Sequence, residues 1–134
     1  SLLTSMVGEI GDNSYAHNLG NWPDILGIFF AYDLNKRVIV LADRGRGILK
    51  TLKSVRPELA SHKEALKVAF TEIVSGRFPE QRGNGLKSVA VNILSSDVSL
   101  TFRTGDAELD LKRGGGLNIT ECETSHGCFA ILKF

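Results

Sequence analysis

Residues 38–49 read VIVLADRGRGIL, an apolar run that ends in an acidic residue and passes at once into a turn with two glycines. The apolar run predicts a buried strand with Asp43 at its end. Gly45 and Gly47 carry no side chain, so a flat ligand can approach the backbone closely. A carboxylate placed there can accept a hydrogen bond from an amino group such as that of adenine. Taken alone, the same residues fit a tight turn between a strand and a helix equally well.

Upstream of this turn, residues 1–19 predict a helix with a polar pair on one face. Apolar residues recur there at helical spacing, namely Leu2, Leu3, Met6 and Ile10. Glu9 and Asn13 are four residues apart, so their side chains project from the same side of the helix. A carboxylate beside a carboxamide can hold a hard cation such as Mg²⁺, partly hydrated and shared with phosphates. Without other motifs, a solvated polar helix face explains the pair better.

A second glycine motif, RGNGLK at residues 82–87, stands at the start of another predicted helix. Glycines at a helix N-terminus expose backbone amides and the positive end of the helix dipole, which suits a phosphate. The motif is not a P-loop, because no Gly-Lys-Ser/Thr follows at the required interval. It is a weak signal when it stands alone.

The order of predicted elements gives the fold class. Strand-like runs at 26–33 and 37–42 flank a polar turn and predict a hairpin. Helical patterns follow at about 57–74 and 85–94, and four strands are predicted at 98–103, 108–112, 117–122 and 128–134, separated by glycine-containing turns. This order predicts an α+β fold, a two-layer sandwich with helices on one face of a mixed, mainly antiparallel sheet.

The composition is that of an ordinary globular domain. The chain has 134 residues, 43% of them hydrophobic and 23% charged, and a formal net charge of +1. One domain over 1–134 is expected, without an electrostatic preference for nucleic acid. The longest apolar run, 25–32, is too short to span a membrane. Two cysteines suggest no disulfide framework and fit the cytoplasm. A helical pattern at the first residue, without an initiator Met, fits a fragment of a longer protein.

Together and in this order, the three motifs resemble those of the Bergerat ATP-binding fold of the GHKL superfamily, shared by gyrase, heat-shock chaperones, histidine kinases and mismatch-repair proteins. Residues 9–14 are similar to the N box, 43–48 to the first glycine box and 83–86 to the second. The order of strands and helices agrees over nearly the whole chain. In size, the chain is nearest to the histidine-kinase-like and anti-sigma-kinase-like members.

The resemblance implies ATP and Mg²⁺ as cofactors. Asn13 would ligate Mg²⁺ through the ATP phosphates, Glu9 would be the catalytic residue that orients or deprotonates the nucleophile, and Asp43 would bind the adenine amino group. Residues of about 49–82 would form the ATP lid. Gly127 is followed by Cys128 where the family often has Gly-Thr, so the hydrogen bond that supports Asp43 would be weaker or supplied elsewhere. The implied cofactor-binding set is Asn13, Asp43, Gly45, Gly47, Ile48, Gly83, Asn84, Gly85 and Leu86.

The function expected is binding of Mg-ATP, followed by hydrolysis or by transfer of the γ-phosphate to a protein. Glu9 favours catalysis, because pure binding needs no general base. The alternative is a non-catalytic regulatory module whose lid presents a helix to a protein partner when ATP is bound. A remote third reading is a structural α+β domain with coincidental glycines. The sequence does not identify the partner or phosphoacceptor.

Overall fold

The computed structural model describes residues 2–18, 27–45, 47–72 and 85–134, with side chains in the first range described as far as Gly11. Across these ranges, no helix is both long and apolar enough to cross a membrane. The helices are α1 (Leu2–Asn18), α2 (Ile48–Leu52), α3 (His62–Thr71) and α4 (Gly85–Leu94). The strands are β1 (Ile28–Asp33), β2 (Val38–Asp43), β3 (Ser99–Lys112) and β4 (Gly116–Lys133).

The strands form one sheet in the order β1-β2-β4-β3. β1 and β2 make the predicted hairpin, and β4 lies between β2 and β3. Every pairing in the described part of the chain is antiparallel, so the parallel pairing implied by a mixed sheet is not seen there. With the helices packed against one face, the predicted α+β fold is confirmed.

β3 and β4 are each one long element where the sequence predicts two strands and a turn. Thr101 Oγ1 donates to Asp110 Oδ1 at 2.8 Å, and Arg103 Nε meets Glu108 Oε1 at 2.6 Å. Nine residues of straight strand would span about 30 Å. β3 therefore folds back at Gly105, which has φ +57 and lies where the β3–β4 register shifts. The turn predicted at residues 105–106 is therefore present, as the reversal between the two arms of β3.

The core lies between the helices and one face of the sheet. Phe70 of α3 and Phe102 of β3 meet edge to face, with ring centroids 5.3 Å apart, and both are almost fully buried. This arrangement is a preferred geometry for aromatic pairs. Helices α1 and α4 contribute further buried side chains, namely Met6, Ile10, Leu86, Val89, Ala90 and Ile93.

α3 is shorter than the helix predicted over 57–74. It begins at His62 because Ser61 is its N-cap: the Ser61 hydroxyl oxygen accepts the Glu64 backbone N–H at 3.1 Å. Serine followed three residues later by glutamate is the sequence signature of a capping box, and it is a stronger start signal than the preceding Pro57. At the other end Glu72 is already extended, with φ −119 and ψ 151.

The predicted lid, 49–82, contains a well-packed part. Leu52, Leu59 and Leu66 are buried in the core, and Arg56 bridges the loop before α3 to Glu72 after it, with Nη1 and Oε1 3.0 Å apart. Residues 73–82 lie outside the described residues. A lid role for the whole segment stays a prediction.

Candidate functional site

Asp43 is a buried carboxylate at the end of β2. It is 5% exposed, and its Oδ1 accepts hydrogen bonds from the backbone N–H groups of Gly45 at 2.9 Å and Cys128 at 3.1 Å. Burying a charge is costly unless hydrogen bonds compensate for the lost water. The two amides stabilise the charged carboxylate and fix its direction.

The turn after Asp43 needs a glycine at position 47 for two reasons. Gly47 has φ +83, a conformation that side chains disfavour. A methyl group on Gly47 would also stand 3.0 Å from Thr104 Oγ1. That same oxygen accepts the Ile48 backbone N–H at 3.1 Å, so α2 starts against the side chain of a β3 residue.

β4 passes against the backbone of Asp43 at another glycine. Gly127 has φ +84, and a methyl group there would overlap the carbonyl oxygen of Asp43. The close approach brings the next residue, Cys128, within hydrogen-bonding distance of the Asp43 carboxylate. The sequence leaves open how Asp43 is supported when Cys128 stands where the family often has threonine. The structure supplies a bond from the Cys128 backbone N–H, which does not require a threonine side chain.

The Cys128 thiol is enclosed in the same place. Its Sγ lies 3.7 Å from Thr104 Oγ1, and the residue is buried. Burial, and after it the negative charge of Asp43, raises the pKa of the Cys128 thiol to about 12. A thiol of this kind stays protonated near neutral pH and is a poor nucleophile.

Glu9 meets the start of α4. A methyl group on Gly85 would lie 2.7 Å from Glu9 Oε2, so the carboxylate is placed against the first residue of that helix. On its other side α1 lies along β2, where a methyl on Gly11 would stand 3.8 Å from Leu41 Cδ2. α1 therefore connects the strand that carries Asp43 with the helix that begins at Gly85.

The structure brings the predicted residues together in two groups. Asp43, Gly45 and Gly47 form one group at the β2–α2 turn, and Glu9 forms the other with Gly85. Ile48 and Leu86 are buried with the core. The Asn13 side chain, Gly83 and Asn84 lie outside what the structure describes, so their roles stay predictions.

Thr104 is a site residue that the motifs did not predict. A signal for it exists in the sequence, because Leu100, Phe102 and Thr104 alternate along β3 and all three are buried. A polar residue at an inward position of a strand needs a hydrogen-bond partner. The Ile48 amide is that partner.

Within the described ranges, no three His, Cys, Asp or Glu side chains cluster as they would to hold a metal ion on their own. Mg²⁺ does not require such a cluster, because it is commonly held by one or two protein oxygens together with substrate phosphates and water. The Glu9 carboxylate beside Gly85 offers one oxygen of that kind.

Comparison with known proteins identifies the fold. No family model matches the sequence, and no curated protein matches it. Among solved structures, the chain is similar to the ATPase region of Saccharomyces cerevisiae topoisomerase II bound to ICRF-187 (dexrazoxane), with a TM-score of 0.55 and 16% identity. The match covers 98% of this chain and 37% of that one, so this chain spans little more than a third of the topoisomerase chain. The chain therefore shares the fold of that region, the Bergerat fold.

The approach of β4 to Asp43 predicts different costs for two glycine substitutions. Gly114→Ala places a methyl at φ +86 in open space, so it should cost only the strain of that backbone conformation, about 1–2 kcal/mol. Gly127→Ala has the same strain and also overlaps the Asp43 carbonyl, so it should cost about 2 kcal/mol more. Urea unfolding of both variants measures the difference, and equal costs would contradict the close approach.

The buried thiol predicts a pH dependence of stability. Because the folded-state pKa of Cys128 lies above that of the unfolded thiol, about 8.5, its contribution is present below pH 8.5 and is lost as the pH rises toward 12. Between pH 8.5 and 10 the free energy of unfolding should fall by on the order of 1–2 kcal/mol from this group. Cys128→Ala should remove that part of the slope. If the free energy of unfolding depends on pH equally in the two proteins, the pKa of the Cys128 thiol is not raised in the folded state.

Proposed function

We propose that this chain binds ATP together with Mg²⁺, with the adenine at the β2–α2 turn and the phosphates toward the start of α4. The observation that carries the proposal is the buried Asp43 carboxylate, oriented by two backbone amides beside a turn with two glycines. The shared fold with a structure described as an ATPase region supports it.

The geometry suits an adenine base. The exocyclic amino group of adenine would donate to the Asp43 carboxylate, a charge-assisted bond away from bulk water. The base would lie against the backbone near Gly45 and Gly47, where no side chain projects. Guanine would turn a carbonyl oxygen toward the carboxylate, and two acceptors repel each other, so the site should prefer adenine.

The phosphates would lie near Gly85, where the N-terminus of α4 offers backbone amides and the positive end of the helix dipole. Asn13, on α1, would hold Mg²⁺ through the phosphates, and the ion would neutralise part of their negative charge. Glu9, already placed against Gly85, would accept the proton of an attacking water or hydroxyl.

We infer that the bound ATP is hydrolysed or gives its γ-phosphate to a protein, because the Glu9 carboxylate stands against Gly85, where the phosphates would lie. The phosphoacceptor or protein partner would come from outside the described residues. Two free cysteines are compatible with the cytoplasm, where we place the protein. The alternative function, a non-catalytic module regulated by ATP, is distinguished by the turnover measurements on wild type and Glu9→Gln.

Asp43→Asn should abolish adenine recognition and preserve the fold. Asparagine can keep its Oδ1 on the two backbone amides, but it replaces the second carboxylate oxygen by an amino group, which cannot accept from adenine. ATP affinity measured by isothermal titration should fall at least tenfold, equivalent to about 1.4 kcal/mol.

Asp33→Asn is a matched control. The Asp33 carboxylate also accepts from two backbone amides, those of Asn35 at 2.9 Å and Lys36 at 3.0 Å, but it is exposed at the far end of β1. Its affinity for ATP should equal that of the wild type. A folded Asp43→Asn protein that binds ATP normally would place the adenine elsewhere.

Glu9→Gln tests catalysis. If Glu9 is a general base, the variant should bind ATP with similar affinity but form ADP or phosphoprotein at least about a hundredfold more slowly. Glu121→Gln, at an exposed position on β4, is the control and should be fully active. Turnover that survives Glu9→Gln would remove Glu9 from the mechanism. ATP binding without turnover in the wild type would favour the non-catalytic module.

A further inference from the structure

Only two polar or charged residues are buried in the part of the chain that the structure describes, and both contact the β2–α2 turn. They are Asp43 and Thr104, which is 0% exposed. A buried hydroxyl is costly unless its hydrogen bonds are satisfied. Asp43 has a role in the proposed nucleotide site, whereas Thr104 lies on β3 and is assigned no role by any sequence motif.

The Thr104 hydroxyl caps the N-terminus of α2 by accepting a backbone hydrogen bond. The first amides of a helix lack partners within the helix, and a side chain at the N-cap usually supplies one. The N-cap of α2 is Gly47, which has no side chain. Thr104 Oγ1 replaces it from another element by accepting the Ile48 N–H at 3.1 Å.

Thr104 also connects the two ends of the glycine turn. Its Oγ1 lies 3.7 Å from Cys128 Sγ, and the Cys128 backbone N–H donates to Asp43 at 3.1 Å. A path of polar contacts therefore runs from Asp43 through Cys128 and Thr104 to Ile48, in addition to the covalent chain. Each end of the turn is tied to the sheet.

We propose that Thr104 is a positioning residue for nucleotide binding: its hydroxyl fixes the Gly47–Ile48 backbone at the distance from Asp43 that a bound base requires. This inference rests on the proposed function. The carboxylate would define one edge of the base and the glycine backbone one face, so both must be held together. Binding groups work only when neighbouring hydrogen bonds hold them to within about 0.5 Å.

Three variants separate the hydroxyl from the size of the side chain. Thr104→Val keeps the shape but leaves the Ile48 amide without its acceptor, and the Kd for ATP should rise at least tenfold. Thr104→Ser keeps the acceptor and should stay within about threefold of wild type, although it loses a buried methyl. Thr104→Cys supplies a weaker acceptor, so its Kd for ATP should lie between those of Thr104→Ser and Thr104→Val.

Thr101→Val is the matched control. It is the same substitution on the same strand, and it also removes a hydrogen-bonded hydroxyl, the one that donates to Asp110 at 2.8 Å. Thr101 takes no part in the β2–α2 turn. Its variant should bind ATP within about twofold of wild type, even where its melting temperature falls as much as that of Thr104→Val.

A second measurement needs no nucleotide. Amide hydrogen exchange in the free protein should be at least tenfold faster at Ile48 in Thr104→Val than in wild type, with β2 amides unchanged. A purely structural role would instead speed exchange throughout the core. If Thr104→Val does not fold, the exchange rate and Kd of Thr104→Cys provide the same comparison.

The outcomes distinguish this inference from the proposed function. If wild type binds ATP and folded Thr104→Val binds it equally well, the positioning role is wrong and the ATP site stands. The same holds if Thr104→Ser loses as much affinity as Thr104→Val, or if Thr101→Val loses as much. If wild type does not bind ATP, the proposed function fails and the positioning role fails with it.

Discussion

The need to compensate the buried charge of Asp43 governs the structure around the site. A carboxylate at 5% exposure requires donors, and here two backbone amides provide them. One donor, Gly45, is local and follows from the turn. The other, Cys128, is brought in by β4, which can come so close only because Gly127 has no side chain. The sheet register between β2 and β4 is therefore linked to the chemistry at the end of β2.

The sequence predicts the local half of this arrangement well and the distant half poorly. An apolar run that ends in Asp43, followed at once by two glycines, is visible in a single short stretch of sequence. The Cys128 amide is 85 positions from Asp43, and the Thr104 hydroxyl is 56 positions from Ile48. Such contacts depend on strand register and on where β3 folds back, which a local pattern does not determine. Alternation of Leu100, Phe102 and Thr104 indicates burial but not the partner.

The fold-back of β3 shows how a glycine can be identified correctly while its role differs. Gly105 is a turn residue in the sequence pattern, and its positive φ agrees. However, a methyl at this position would also overlap the ring of His62, at the start of α3. The bend is thus held against a helix whose own start is set by the Ser61 cap. The turn at Gly105 is predicted from the sequence, whereas the helix start at His62 is not, since the predicted helix begins at residue 57. Their contact is not predictable from a local pattern, because it joins two separate elements.

The two halves of the site are positioned by different forces. At the β2–α2 turn, where we propose that the base binds, polar contacts among Asp43, Cys128 and Thr104 set the geometry. Near Gly85, where we propose that the phosphates bind, the apolar face of α1 sets it. At 100° per residue, Glu9 and Gly11 flank the buried Ile10 on opposite sides of the helix, one toward α4 and the other toward β2. Rotating α1 to move Glu9 away from Gly85 would expose Ile10 and Met6, at a cost of about 1.5–3 kcal/mol for each buried side chain. Hydrophobic packing of α1 is therefore sufficient to orient the Glu9 carboxylate toward α4, and no polar contact of Glu9 is required.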